Sequence, residues 1–279
     1  APPAGWSHWF GLIDPTTYRY YGYSVSNNGR RQDYGRKPED YQTDVLGAEV
    51  VRNIEERAAA DQPWFISWTP LAPHSTEGEG ASGLGTGDKL TNNEGATVAD
   101  RIRSTLPVPA PEFEGKMSKE ALPRPPSFDE EDIADKPKFF RDKWRLGFTS
   151  KALIREGYQR ELEALLSVDK WVKKIFEALL RTNQASNTTV IFSSDNGYYH
   201  GEHRLSFAKV YLYEPGVHLP LIIRGADFPK AAKIPAMTSN VDLAPTILAL
   251  AGATATTTLD GRDLATVARD PSVVAGRAV

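Results

Sequence analysis

Thr188-Thr189-Val190-Ile191-Phe192-Ser193-Ser194-Asp195-Asn196-Gly197 is the stretch on which the reading of the fold turns. Its centre is short, apolar and β-branched, as expected of a strand in a parallel sheet covered on both faces. Asp195-Asn196-Gly197 then stands at the carboxyl end of that strand, where open α/β sheets gather their ligands. Asp195 and Asn196 offer hard oxygens, matched to Ca²⁺ or Mg²⁺ rather than to a soft metal. Gly197 lets the backbone turn sharply beneath them. Taken alone, Asp-Asn-Gly is more often simply a turn.

The flanking sequence has the same α/β rhythm. Tyr158, Leu162, Leu165, Val172, Ile175, Phe176 and Leu179 recur at helical spacing and predict one long amphipathic helix over 152–182. A second strand fits Leu219–Arg224, and a helix fits 243–251, with Asp242 as its cap and Gly252 just past its end. Upstream, Leu46, Val50, Ile54 and Ala58 predict a helix over 43–60, followed by a buried strand at Pro63–Trp68 that runs into Pro73-His74. Residues 1–40 are aromatic and Gly-rich without a clean period. The expected architecture is α/β with a mostly parallel central sheet flanked by helices.

The segment 75–140 interrupts this rhythm with Gly, Pro and acidic residues, and reads as a long insert or lid loop. Its run Gly83–Lys89 lacks the Walker spacing, since Leu90 stands where Ser or Thr would follow the lysine. No G-x-S-x-G elbow occurs either, so a serine-hydrolase reading has no support. Asn187-Thr188-Thr189 matches the glycosylation pattern, but its threonines open the expected buried strand.

Composition narrows the function classes. The 279 residues are 40% hydrophobic and 25% charged, ordinary for a globular chain. Lys plus Arg number 33 against 36 Asp plus Glu, a net charge of −3, so no overall basic excess points to nucleic acid or an anionic membrane. No apolar run approaches the ~20 residues that span a bilayer. There is no cysteine, which removes disulfides, thiolate metal ligands and cysteine nucleophiles together.

Beyond Gly197 the chain continues through Gly201-Glu202-His203, Lys209 and Leu219-Pro220-Leu221-Ile222-Ile223-Arg224-Gly225. This run resembles the type I sulfatases of the alkaline-phosphatase superfamily. The likeness extends to Gly5–Leu12, Thr17–Tyr23, Tyr34–Leu46, Leu71-Ala72-Pro73-His74, Asp132–Pro137, Asn240–Ala253 and Asp260–Leu264, and so covers nearly the whole chain. It implies a sulfatase-like α/β fold, incomplete at both ends, with 1–279 as part of one catalytic domain. It implies that Asp195 and Asn196 bind a divalent cation, most often Ca²⁺ in this family, with Mg²⁺ as the alternative. Lys209 would hold a sulfate oxygen and stabilise the leaving ester oxygen, and His74 would hydrogen-bond the sulfate or protonate the leaving group. Glu202 and His203 would support the loop that carries Lys209. Without that context Lys209 reads as a solvated charge and His74 as a loop cap. His200 reads as structural, and His8 and His218 have no evident partner.

One departure matters. The family's nucleophile is a formylglycine made from Cys or Ser in a C/S-x-P-x-R motif, and this sequence holds no such motif. The family's paired N-terminal aspartates and Lys-x-His motif are missing too. The expectation is therefore a nucleophile upstream of Ala1 and an isolated chain without turnover. The implied activity is hydrolysis of a sulfate ester, on a sulfated sugar or an aryl ester. A phosphonate or phosphodiester hydrolase of the same superfamily is the alternative within the enzyme class, and a non-catalytic, Ca²⁺-dependent binder of sulfated glycans is the alternative outside it. Trp144 and the N-terminal aromatics are candidate sugar-stacking surfaces. Oligomeric state and compartment leave no trace in the sequence.

Overall fold

The computed structural model describes residues 2–60, 62–77 and 98–277. The glycine run 83–89 lies outside the described residues. Three short strands, β1 (Phe10–Leu12), β2 (Ser24–Asn27) and β3 (Arg30–Asp33), form an antiparallel sheet in chain order. Helix α1 (Gln42–Ala58) follows, then two short helices of the insert, α2 (Val98–Arg103) and α3 (Lys138–Arg141). The 34-residue helix α4 (Phe148–Arg181) begins four residues before its expected start. Strand β4 (Val190–Ser193), short helix α5 (Glu214–Val217) and strand β5 (Leu221–Arg224) come next, and α6 (Leu243–Leu250) and α7 (Leu264–Arg269) complete the order.

The core is the seam between α1 and α4. Val50 and Ile54 of α1 meet Ala178 and Leu179 of α4, all buried. Helix α1 can approach this closely because residue 47 is glycine: a Cβ there would lie 2.4 Å from the Trp171 ring. The contact is locked by Asp44, which accepts from the Trp171 indole and pairs with Lys170 at 2.8 Å. Burying a side chain such as Ile54 contributes roughly 1.5–3 kcal/mol, so this seam sets the frame on which the loops hang.

Two expectations need correction. The α/β class holds, but every strand ladder among the described residues is antiparallel. Strand β5 runs back beside β4, with Ser193 opposite Leu221. A parallel partner requires a crossover that carries the chain to the other end of the sheet. Here the connection instead stays at the carboxyl end of β4, where the Gly197 amide donates to Gly216 O at 3.0 Å. The second correction concerns Pro63–Trp68. Its burial alternates, with Trp64, Ile66 and Trp68 half-buried and Phe65 56% exposed. The three inward residues pack on the α1–α4 seam. The segment makes no ladder with another strand among the described residues, so it has the pattern of a strand without the pairing.

Candidate functional site

His74 is placed by residues far away in sequence. The buried Gln42, at the start of α1, donates from Nε2 to the carbonyls of Thr17 and Arg19 and accepts the Leu71 amide on Oε1. The phenol of Tyr20 donates to His74 O at 2.8 Å, and Tyr18 packs its ring 5.0 Å from the imidazole. Burial, and then the nearby Tyr41 and Glu161, push the Tyr20 phenol well above its ordinary range, so it stays protonated and remains a donor. His74 Nδ1 lies 2.8 Å from Ser75 O. A carbonyl can only accept, so Nδ1 carries a proton and the neutral ring presents a lone pair on Nε2.

That lone pair meets Lys209. The Lys209 Nζ lies 2.9 Å from His74 Nε2, with the ammonium as donor. Tyr199 positions the lysine. Its amide donates to Ala208 O at 2.9 Å, just before Lys209, and its phenol donates to Tyr211 O at 3.0 Å, just after. Tyr199 is fully buried. Between these two anchors Val210 has φ 73°. A β-branched residue in the left-handed region is strained by about 1–3 kcal/mol, and the Tyr199 bracket holds it there. Lys209 is thus an aimed side chain rather than a solvated one.

Asp195 and Asn196 sit at the carboxyl end of β4, as expected. Asp195 is exposed and Asn196 half-buried. Asp195 Oδ1 accepts only the Asn196 amide, at 2.9 Å, and no basic side chain among the described residues pairs with it. Asn196 turns its Nδ2 to Gly197 O at 2.9 Å, which leaves Oδ1 unbonded among the described residues. Gly197 is required by close approach: a Cβ would lie 2.0 Å from Pro215 O. Two hard oxygens are therefore presented with no internal partner, which fits a Ca²⁺ or Mg²⁺ ion. They are only part of a ligand shell, since no group of three or more acidic or histidine side chains that could hold a metal occurs among the described residues.

Glu202 and His203 act at one remove. Glu202 accepts the His200 amide at 2.6 Å, and His203 Nδ1 lies 2.8 Å from Glu130. Both are buried, and they dock the 200–205 turn on the insert, where the His203 amide also donates to Ser127 O. Arg204 completes this docking. Its guanidinium donates to the carbonyls of Glu130, Lys143 and Glu131 at 2.9, 2.9 and 2.7 Å. The structure brings His74 and Lys209 into contact, whereas Glu202 and His203 contact the insert.

His200 is bonded to Glu161 of α4 at 2.6 Å. Burial lowers its pKa, but the Glu161 hydrogen bond and charge prevail and raise it. His8, expected to lack a partner, bonds Glu49 at 2.7 Å, and the exposed His218 pairs with Glu214 one helical turn away. The Glu49 partner of His8 lies 41 residues away and is invisible to a local reading, whereas the His218–Glu214 pair is a local i,i+4 contact that the reading of the sequence missed. Gln42, Tyr20 and Tyr199 are the positioning residues that sequence reasoning missed. The only hint of them was the unusual tyrosine density at Tyr18–Tyr23.

The family model for sulfatases matches residues 5–253. The chain belongs to the sulfatase family. An arylsulfatase of Volvox carteri is 31% identical over 96% of this sulfatase chain and 41% of its own length. The N-acetylglucosamine-6-sulfatase of Homo sapiens is 28% identical over 97% of this chain and 43% of its own. The chain thus spans about two fifths of the length of these relatives. Among solved structures, BT4656 in complex with its substrate D-glucosamine-2-N,6-O-disulfate superposes with a TM-score of 0.62 at 23% identity, over 97% of this chain and 60% of its own. That likeness confirms the sulfatase fold of this chain.

Proposed function

We propose that this sulfatase-family chain supplies the leaving-group side and part of the cation site of a sulfate-ester hydrolase. The observation that carries the reading is the His74–Lys209 hydrogen bond at 2.9 Å. A sulfate ester brings a delocalised negative charge, and as its S–O bond breaks that charge moves onto the ester oxygen. An ammonium aimed by Tyr199 meets the charge with two N–H donors that His74 does not use. Loss of a Lys209 proton to the ester oxygen leaves an amine beside the imidazole, and no charge is left uncompensated. His74 orients Lys209 by accepting its N–H on Nε2; protonated there, it would give up that bond and donate to the ester oxygen instead. We assign His74 and Lys209 as catalytic.

Asp195 and Asn196 are the cation ligands in this proposal, with Ca²⁺ the expected ion and Mg²⁺ the alternative. A bound divalent cation supplies Lewis-acid stabilisation of the sulfate oxygens. The attacking group, a formylglycine in this family, is not among the residues of this chain. Glu202 and His203 keep the Lys209 loop docked. The substrate is a small or glycan-borne sulfate ester. Support for it comes from the free oxygens of Asp195 and Asn196, the aimed ammonium, and relatives named for arylsulfate and N-acetylglucosamine-6-sulfate hydrolysis.

The test is a leaving-group series on the full-length protein that carries this chain. Lys209→Ala should slow hydrolysis of an alkyl or sugar sulfate far more than that of a nitrophenyl sulfate, whose phenolate leaves without help. Equal losses on both would overturn the leaving-group role. Faster turnover of a phosphonate ester than of any sulfate would favour the phosphonate-hydrolase alternative, and binding without turnover of any ester would favour the glycan binder.

A further inference from the structure

His200 and Glu161 form a half-buried pair that takes no part in the chemistry of His74 and Lys209 itself. Tyr199 bridges antiparallel to Ala208, so the side chains before and after it leave on the opposite side from its own. Tyr199 enters the cluster of Phe140 and Leu205. Tyr198 and His200 point the other way, with their rings 5.4 Å apart. There His200 Nε2 meets the Glu161 carboxylate of α4 at 2.6 Å, and only 19% and 14% of the two side chains are exposed. Among the described residues this is the one hydrogen bond between 195–215 and α4. Phe207 makes an apolar contact one helical turn away, against Gly157, where a Cβ would lie 2.8 Å from its ring. Helix α4 thus meets the Lys209 loop with a single face. His74 hangs from the other helix of the seam, since Gln42 at the start of α1 holds the Leu71 amide three residues before it. Asp44 locks the two helices together through Lys170 and Trp171.

We infer that Glu161 is a positioning residue for Lys209, acting through His200 and the Tyr199 bridge. The Phe207–Gly157 contact sets how close the loop lies to α4, but apolar contact has no direction. A charge-assisted hydrogen bond does, and it fixes where along the helix the loop sits. A buried charged pair adds little net stability over an apolar pair of the same volume, so what it contributes here is position. Glu161 and Gln42 thereby set the separation of Lys209 and His74 from the two sides of one rigid seam. Behind burial and Tyr41, the Glu161 charge also helps keep protonated the Tyr20 phenol that holds His74 O. The titratable groups that face His200 are Glu161 and Tyr158 of α4, and Tyr198 and Glu202 of its own turn. Burial disfavours the charged ring, and the bond and charge of Glu161, aided by the charge of Glu202, outweigh it. The grip is therefore firmest below the raised pKa of His200 and slackens as pH climbs through it. The inference rests on the sulfate-ester reading and concerns the regulation of that same site.

The experiment follows a sugar sulfate and a nitrophenyl sulfate on the full-length protein, well below the melting temperature of every variant. Glu161→Ala should lower kcat on the sugar sulfate on the order of tenfold with KM little changed, within the ~10²-fold that a misplacement of about 1 Å can cost. The loss on the nitrophenyl sulfate should be much smaller, because its phenolate leaves without help from Lys209. In a Lys209→Ala background Glu161→Ala should have no further effect on the sugar sulfate, since the group it positions is gone. Glu161→Gln keeps the acceptor oxygen and loses the charge. It should match the unaltered protein at pH 8 and fall below it at pH 5.5, and it carries the test if Glu161→Ala does not fold. Equal losses on both substrates, full additivity with Lys209→Ala, or a Glu161→Gln pH profile parallel to that of the unaltered protein would overturn the positioning role. So would a variant that melts lower with kcat unchanged, which would make the pair a contact of the fold alone. All of these leave the sulfate-ester reading intact. An unaltered protein that turns over neither sulfate would instead sink that reading, and this inference with it.

Discussion

Lys209 donates to His74 across 135 residues of sequence, and each side chain is held in place from its own side of the contact. The imidazole is fixed through Ser75 O and the lysine through the two bonds of Tyr199 that bracket it. Groups that act as one unit lose their function together. Lys209→Ala and His74→Ala should each lower kcat/KM on a sugar sulfate by about 10²–10³, and the double variant should lose little more than the worse single. Full additivity in a double-mutant cycle would mean that the two act independently.

Asp195 is a case in which function and stability should separate. Its carboxylate is exposed and holds no basic partner among the described residues, so removing it leaves nothing buried and unpaired. Asp195→Ala should change the stability of the chain by no more than about 0.5 kcal/mol. Calorimetric titration with Ca²⁺ should meanwhile show a marked loss of affinity. A variant that unfolds while binding Ca²⁺ normally would make the Asp-Asn-Gly stretch a plain turn.

Gly197 should behave in the opposite way. A methyl group at this position would meet the backbone carbonyl of Pro215 at 2.0 Å, and backbone cannot swing aside as a side chain can. Gly197→Ala should cost about 1–3 kcal/mol and lower Ca²⁺ affinity as well, since the turn beneath Asp195 and Asn196 must shift. Unchanged melting and unchanged affinity would show that the loop has slack.

The Glu161–His200 bond makes stability depend on pH. Burial lowers the His200 pKa, but the Glu161 bond and charge raise it by more. A histidine whose folded pKa is raised contributes stability that is fully present below its unfolded pKa, about 6.5. The contribution disappears as pH rises through the higher folded value. Glu161→Gln should therefore destabilise the protein by about 1–3 kcal/mol at pH 5.5 and by less at pH 8. Melting curves at the two pH values would decide it, and an equal loss at both would remove the charge from the explanation.

How far the sequence could be read depended on the range of the interaction. Helix α4 was legible because its apolar spacing is local and repeats over 34 residues. The segment Pro63–Trp68 showed the alternation of a strand, and its burial does alternate, but pairing depends on a neighbour that no local window contains. Asp242 was expected to cap a helix. It stands at the N-cap of α6, but its fully buried carboxylate makes no bond to that helix's first turn and accepts the Ser239 and Arg262 amides and the guanidinium of Arg277. Asp195 and Asn196 were visible as hard oxygens at a strand end. His74 and Lys209 were named through the family likeness, since nothing in their separate neighbourhoods says that they meet. Tyr20, Gln42 and Tyr199 escaped notice because a positioning residue carries no chemistry of its own.

The grip of Arg204 on the carbonyls of Glu130, Glu131 and Lys143 limits how this stretch can change. One guanidinium joins this stretch, through its backbone alone, to the turn that precedes Lys209. Main-chain carbonyls are the same for every residue type, so exposed side chains of this stretch such as Lys138 and Arg141 can be exchanged without loosening the grip. Glu130, which holds His203, and the buried Ile133 and Phe140 are instead tied to the docked turn. Insertions and deletions there have no such freedom, because they would pull Glu130, Glu131 and Lys143 out of register with a single side chain. Substitution at the exposed positions of this stretch is thus compatible with the docked turn, whereas a change in its length is not.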